Sequence, residues 1–412
     1  MEEDADIVIV GAGISGLATA LALHRLGLKS LVLESSDILR AAGVAFTTWT
    51  NAWRALDALG IAHSLRQSHG PLFGIYSSSS VSGDLTSYVS FTSKGTHGDH
   101  EVRCVKRKVL LEALAKELPS STIRYSSRVV SIQESGFMKV LHLADNSSIK
   151  TKVVIGCDGV NSVVAKWLGL KKPSLSGRSA IRGCAYYEAG HGFEPKFQQF
   201  MGHGVRYGIV PCDDTAVYWF LTWSPSPEEK EMLREADQLK LKQFVLSKLG
   251  KVPDHVRGVI QDTGVEEIVL APLGYRPPWE ILCGNISKDN VCVAGDACHP
   301  MTPDLGQGGC SALEDGVILA KCLADAMVES SASVYKVDDY ERIKIGLNNF
   351  AKERRWRALD LITTGYIMGF IQESNWIGMR FLRERLLASF LPGLFLKKAD
   401  VDPKQLVIHP KV

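Results

Sequence analysis

Apolar residues in this chain gather first into a short unbroken run, Ile7–Val10, and then spread into helical spacing. Consecutive β-branched residues predict a strand buried on both faces. Leu17–Leu26 is rich in Ala and Leu, and Gly27 stands where the helix would end. Ser30–Leu33 predicts a second parallel strand, closing a strand–helix–strand unit at Glu34. Asn51–Leu59 reads as a helix stopped by Gly60, preceded by a loop or short strand over Ala41–Thr50. Residues 72–100, rich in Ser, Gly and Thr, predict edge strands and turns. Val109, Leu110, Ala113, Leu114 and Leu118 fall at helical spacing.

Alternation then takes over. Ile123–Ser131, Met138–Leu143 and Ser148–Val153 predict a meander, which feeds a buried strand at Val153–Ile155. Ser179–Tyr187, Phe197–Met201, Val205–Pro211 and Ala216–Trp223 predict antiparallel strands, Glu228–Leu249 a polar-faced helix and Glu267–Leu273 another strand. Asn290–Asp296 returns to the parallel type, with a helix starting near Gly306 and apolar spacing from Leu305 to Met327. Asp338–Leu396 predicts a helical tail broken at Pro392. The antiparallel block thus interrupts the parallel strands. We expect an α/β chain with a Rossmann-like nucleotide-binding domain (1–75, 101–175 and 285–330), an inserted antiparallel-sheet substrate domain (76–100 and 176–284) and C-terminal helices (331–412).

Composition changes this picture little. The 412 residues suffice for two domains, and 45% hydrophobic with 22% charged residues is ordinary for a globular protein. A net charge of +2 gives no reason to expect nucleic acid as a partner. Nine cysteines without C-x-x-C or zinc-type spacing predict reduced thiols and no metal site. The first strand starts too early to leave room for a targeting peptide. No apolar run reaches the ~18 residues that span a bilayer. The expected compartment is the cytoplasm.

The chemistry sits at strand ends. Gly11-Ala-Gly-Ile-Ser-Gly16 follows the first strand without a gap and fits G-x-G-x-x-G. Gly11 permits the turn, Gly13 lets a diphosphate approach, and Gly16 lets the helix pack closely. Ile14 and Ser15 begin that helix, whose free N–H groups favour an anion. Glu34 lies about 20 residues on, where a carboxylate accepts ribose hydroxyls, favouring FAD or NAD over NADP. A glycine-rich turn without a ligand would explain the glycines but not Glu34. Arg40 is placed to meet the adenosine side. Only one such fingerprint is present, which disfavours flavoproteins with two dinucleotide folds.

Two further motifs, Gly156-Cys-Asp-Gly-Val-Asn-Ser162 and Gly295-Asp-Ala-Cys-His-Pro-Met-Thr-Pro-Asp-Leu-Gly-Gln-Gly-Gly309, follow in order. Together with the first they resemble the single-component FAD-dependent monooxygenases of the para-hydroxybenzoate and salicylate hydroxylase type, over about residues 5–390. Among these, the plant monooxygenases related to zeaxanthin epoxidase are the most similar. The resemblance implies non-covalent FAD and NADPH or NADH as a transient co-substrate. It also implies hydroxylation or epoxidation of a small, aromatic or otherwise electron-rich substrate by O2, through a C4a-hydroperoxyflavin. It assigns Asp296 to the ribityl hydroxyls, Asp158 and Gly159 to FAD and the visiting nicotinamide, and Arg107 to the flavin chain. Gly306, Gly308 and Gly309 precede a helix whose N-terminus can face the flavin, while Pro303 and Pro300 stiffen the segment before it. His299 reads as a structural residue near that helix start.

The inserted sheet supplies the candidate catalytic and pocket residues Arg206, Tyr218 and Tyr207. Arg206 and Tyr207 are neighbours on one strand and point to opposite faces. Arg182 and Phe220 are further wall candidates, and Phe46 and Trp49 are candidates for the flavin's other side. Sheet packing explains each of these aromatics equally well. An oxidase or reductase on the same scaffold, without oxygen insertion, is the alternative function. The tail, with Gly365, Met368, Gly369, Phe370, Trp376, Gly378 and Phe381, has an amphipathic cast. That suits a helical cap, or failing that weak membrane association of a monomer or weak homodimer.

Overall fold

A computed structural model describes residues 2–39, 44–328, 338–373, 390–403 and 406. Its first sheet has eight strands. Glu2–Val10 lies at the centre, parallel to Ser148–Gly156 on one side and to Leu31–Leu33 on the other. Val291–Val293 extends the parallel part beyond Gly156. Val8, Ile9, Val153–Ile155 and Val291–Val293 are all buried, as strands covered on both faces must be. Gly11, Glu34, Gly156 and Gly295 therefore all follow the C-terminal ends of parallel strands, along one edge of the sheet.

The second sheet has seven strands, drawn from residues 74–90 and 174–275. Its outer face buries Tyr207, Trp219 and Leu221 against Phe244 and Val245 of helix Gln238–Lys248 and Val256, Val259 and Ile260 of helix Asp254–Asp262. Burial of each such side chain stabilises the fold by roughly 1.5–3 kcal/mol. The inner face looks toward the first domain. Because antiparallel partners share a face, register puts Arg182, Phe220 and Gly208 in one row there, beside Cys184, Tyr218 and Val210 in the next.

Three elements differ from expectation. The helix expected over Glu228–Leu249 is two, Pro227–Arg234, which stops at its C-cap Glu235, and Gln238–Lys248, which Asp237 starts by accepting from the Lys240 N–H at 2.8 Å. The strand expected over Ile123–Ser131 is split. Ile123–Arg124 pairs with Leu31–Leu33, and the chain then turns at Ser126 (φ 52°), held by Ser126 and Ser127 N–H bonds to the Ser36 and Glu34 carbonyls. The helical spacing over Val109–Leu118 is met by helix Arg107–Lys116, and the strand before it, Arg103–Lys106, pairs with Ala45–Thr48. In the tail, Asp339–Glu373 is one long helix and Pro392 falls in the first turn of Phe390–Ala399. Arg40 and the tail positions Trp376, Gly378 and Phe381 lie outside the described residues.

Candidate active site

The glycine fingerprint meets its local demands separately. Gly11 adopts φ 102°, and a side chain there would strike the Cys157 carbonyl. A methyl group on Gly16 would lie 1.9 Å from the Gly11 carbonyl oxygen, so only glycine fits. At Gly13 a methyl group would meet no atom within 4 Å, so this side of the turn faces open space. Glu34, nearly buried, accepts from the Ala12 and Ser36 N–H groups at 2.9 Å each, which fixes its carboxylate beside the turn. Ile14 and Ser15 are buried, with Ser15 Oγ toward Cys157, so their backbone rather than their side chains faces outward.

The late helix, Gly308–Val328, runs alongside the first helix, Ile14–Arg25. A methyl group at Gly295 would lie 2.7 Å from Ser15 Cβ and 3.7 Å from Ala312 Cβ, and one at Gly316 would lie 2.7 Å from Ala18 Cβ. The two helices are therefore parallel, and their N-termini open on the same edge of the sheet. That edge also carries the exposed Asp296, the exposed Pro303 and the half-buried Arg107, Phe46, Gly306, Gly308 and Gly309. Gly306 (φ 63°) sits against Trp49, and Gly309 against Phe46. Trp49 itself is buried against Phe91 and Phe395, so it supports the turn from behind rather than lining the cleft.

Arg107 is the informative side chain. It opens its helix beside Asp296, and its Nε is buried with no hydrogen-bond partner among the described residues. A buried orphan donor marks a place for an acceptor. Burial and the nearby Arg182 charge push its pKa down, partly offset by Asp296. An open face at Gly13, two helix N-termini and an unmatched guanidinium fit an elongated diphosphate-bearing nucleotide such as FAD. Asp158 is turned inward: it accepts from Ser162 Oγ and from the Val163 N–H, capping the turn that carries Gly159.

Beneath the turn lies a polar network that the sequence reading missed. His299 Nε2 and Asp315 Oδ2 are 2.6 Å apart, and Asp315 also accepts from the Gly295 N–H and from Arg354 Nε. Glu314 accepts from Arg354, Arg357 and Asn51, and Asn51 donates to Gln307 at 2.8 Å. Burial alone would raise both carboxyl pKa values, but the charges of His299, Arg354 and Arg357 hold each at about 2. Burial likewise opposes the His299 cation, yet Asp315 raises its pKa. The signal for this network was two adjacent acids inside an otherwise apolar helix.

The expected pocket residues separate. Tyr207 packs in the outer core, its hydroxyl 3.5 Å from the Val256 carbonyl, so it is on the wrong face for the cleft. Arg206 is on the inner face but is engaged, donating to Gln199 at 2.8 Å and lying 3.3 Å from Asp304. Tyr218 shares that inner face, and burial pushes its hydroxyl up to about 12. A separate groove of about 650 Å³, lined by Tyr76, Tyr187, His191, Phe193 and His255 among others, contains none of the motif residues.

Comparison with known proteins agrees with the geometry. A family described as FAD binding domain matches residues 4–345. Monooxygenase 2 of Arabidopsis thaliana is 51% identical over 99% of this chain and 100% of its own length. The chloroplastic zeaxanthin epoxidase of an Oncidium hybrid cultivar is 28% identical over 85% of this chain and 53% of its own. The fold is that of Klebsiella pneumoniae HpxO, solved with FAD and uric acid (TM-score 0.81, 20% identity, 98% of this chain and 97% of that one). FAD is thus the cofactor, with NAD(P)H the co-substrate typical of the class, and no described helix is long and apolar enough to cross a membrane. The chain belongs to the FAD-binding monooxygenase family and is an FAD-dependent monooxygenase.

Proposed function

We propose that this monooxygenase oxygenates a small, flat, electron-rich molecule held between the inner face of the seven-stranded sheet and the Gly306–Gly309 turn. The observation that carries this reading is the shared edge: both helix N-termini and the orphan Arg107 Nε open where the inner sheet face looks on. Uric acid, bound in one similar structure, is such a molecule, whereas zeaxanthin, named for another similar protein, is a long polyene and shares only its electron-rich double bonds.

In this reading Gly11, Gly13, Ile14, Ser15, Gly16 and Glu34 hold the adenosine end of FAD, with Arg107 and Asp296 along its chain. Gly306, Gly308, Gly309 and Pro303 hold the ring system, and Asp158 and Gly159 shape the entrance for NADPH or NADH. Bound FAD supplies the two-electron chemistry that divides O2 between product and water. The protein's own work is positional. The N-terminus of Gly308–Val328 favours negative charge placed before it. Phe46, Met301 and Phe220 exclude water, and Tyr218, neutral through the physiological range, offers a proton at its hydroxyl. We further propose the discontinuous domain division given above. The second sheet's strand at Gly74–Ser79 supports a boundary slightly before residue 76. A reducing, cytoplasmic compartment is supported by nine free cysteines. Small-molecule substrate and O2 as partners, a monomer or weak homodimer, and the tail as a cap complete the proposal.

The test is to purify the protein, quantify bound FAD, and screen small ring compounds for faster NAD(P)H oxidation under 18-O2. Labelled oxygen in the product supports the reading. Hydrogen peroxide without labelled product would favour an oxidase instead.

A further inference from the structure

The separate groove of about 650 Å³ lies on the outer side of the seven-stranded sheet, beside helix Asp254–Asp262 and away from the flavin cleft. The loop after strand Ser174–Tyr186 forms one wall. Its rings follow in a row: Tyr187 to His191 at 6.5 Å, His191 to Phe193 at 5.6 Å, and Phe193 to His255 of the facing helix at 5.6 Å. Neighbouring rings are inclined by 78°, 52° and 53°, so the wall curves rather than lying flat. The loop is held in place. His191 Nδ1 accepts from the Phe193 N–H at 3.0 Å, its Nε2 donates to the Asp213 carbonyl at 2.6 Å, and the Tyr187 N–H donates to the Thr215 carbonyl at 2.7 Å. Both imidazole nitrogens are taken by the backbone, which leaves the ring itself as a contact surface.

The helix forms the opposite wall. His255, Gly258 and Asp262 fall on one helical face, while Val256, Val259 and Ile260 turn to the core. A methyl group at Gly258 would meet only Asp262 Oδ2, at 4.0 Å. Glycine inside a helix is unfavourable, and here it keeps the slot open. The charges around the slot are one-sided. Lys196 Nζ, 4.9 Å over the Tyr76 ring, is answered by Glu194 at 2.8 Å, and Lys106 by Asp213 at 2.6 Å. Lys242 donates to the Gln261 and Thr263 carbonyls, on either side of Asp262, rather than to its carboxylate. Asp262, and Glu188 and Asp214 on the neighbouring loops, form no ion pair with a described residue. Burial and the Asp262 charge together push the Tyr187 hydroxyl up to about 12. Inclined ring faces beside an unanswered carboxylate recognise an organic cation.

We propose that this groove is a second small-molecule site, separate from the flavin cleft, for an organic cation that carries an aromatic ring. Asp262 holds the ammonium group, and Tyr187, Phe193 and His255 receive the ring. The proposal goes beyond the monooxygenase reading and requires no contact with FAD.

The test is calorimetric titration of the FAD-loaded full chain with tryptamine, with its neutral N-acetyl derivative and with indole-3-acetate. Tryptamine should bind with a Kd of about 1 mM or tighter, and about tenfold or more tightly than either other compound. The visible absorption of the flavin should not change on binding. Asp262→Asn should weaken tryptamine about tenfold, and Asp262→Glu should recover part of the loss. Gly258→Leu, which favours the helix while filling the slot, should remove binding altogether. FAD content should stay at the parent level in all three variants. No saturable tryptamine binding by the parent, equal binding of the N-acetyl derivative or the acetate, or full affinity in Asp262→Asn would each overturn the proposal. So would tryptamine binding that perturbs the flavin and survives in Gly258→Leu, which would place the compound in the cleft.

Discussion

Asp304 accepts from both terminal nitrogens of Arg178, at 2.8 and 2.9 Å, and so fastens the turn before Gly306 to the antiparallel sheet. The same carboxylate lies 3.3 Å from Arg206, and Glu373 closes the cluster from the long C-terminal helix. One buried acid thus joins the motif loop, the inserted domain and the tail.

Asp304→Ala leaves two buried guanidiniums sharing a single carboxylate. It should cost about 3–5 kcal/mol, because an unpaired buried charge is far more expensive than the pair is beneficial. Asp304→Asn keeps an acceptor and should cost less. Urea titrations of the two variants check the order, and equal midpoints for Asp304→Ala and the parent would refute it.

Gly13 and Gly16 should separate binding from folding. A methyl at Gly13 meets nothing in the chain, whereas one at Gly16 collides with the Gly11 carbonyl. Gly13→Ala should therefore keep stability within about 1 kcal/mol but weaken FAD about tenfold or more. Gly16→Ala should destabilise by about 3 kcal/mol. Melting curves with and without added FAD distinguish the two.

Tyr207 and Tyr218 should also part company. The Tyr207 hydroxyl makes only a long 3.5 Å contact with Val256, so Tyr207→Phe should cost under about 1 kcal/mol and leave turnover untouched. Tyr218→Phe should alter KM with folding intact. Steady-state kinetics on one shared substrate compares them directly.

Acid should dismantle the network under the turn in a defined window. Glu314 and Asp315 have folded pKa values of about 2, below the ordinary 4.5 and 3.8. A lowered carboxylate pKa contributes stability that is complete above the unfolded value and is lost as pH falls through the folded one. Stability should hold above about pH 5 and decline toward pH 2. His299 runs the other way: its raised pKa adds stability below the ordinary 6.5 that fades at higher pH, as the folded value is passed. Urea midpoints across the pH range should lose their acid limb in part in Asp315→Asn.

Much of this was readable from the sequence because the demands are local. Strand, glycine turn, helix and acid follow one another within Ile7–Glu34, and each residue answers a need set by its neighbours. Alternation also showed that Arg206 and Tyr207 must face opposite ways. It could not say which face meets the cleft, since that depends on where helices 238–248 and 254–262 pack. Nor could it reveal that Arg206 was already engaged. Arg178 and Asp304 are 126 positions apart, Arg178 and Glu373 195, and no periodicity carries such a pairing. The break at Asp237 was missed for a different reason: its capping bond competes with helix continuation, and apolar spacing runs straight through it.

The long helix Asp339–Glu373 supplies Arg354 and Arg357 to Glu314, Arg354 to Asp315, and Glu373 to Arg178. A chain still emerging from the ribosome, synthesised only to about residue 338, therefore carries Glu314 without either of its cations and Asp315 with His299 alone. Those acids stay hydrated until the final segment arrives, so the floor beneath the cofactor cradle sets last, and a premature stop codon past the FAD motifs would yield a protein with every fingerprint and no working site.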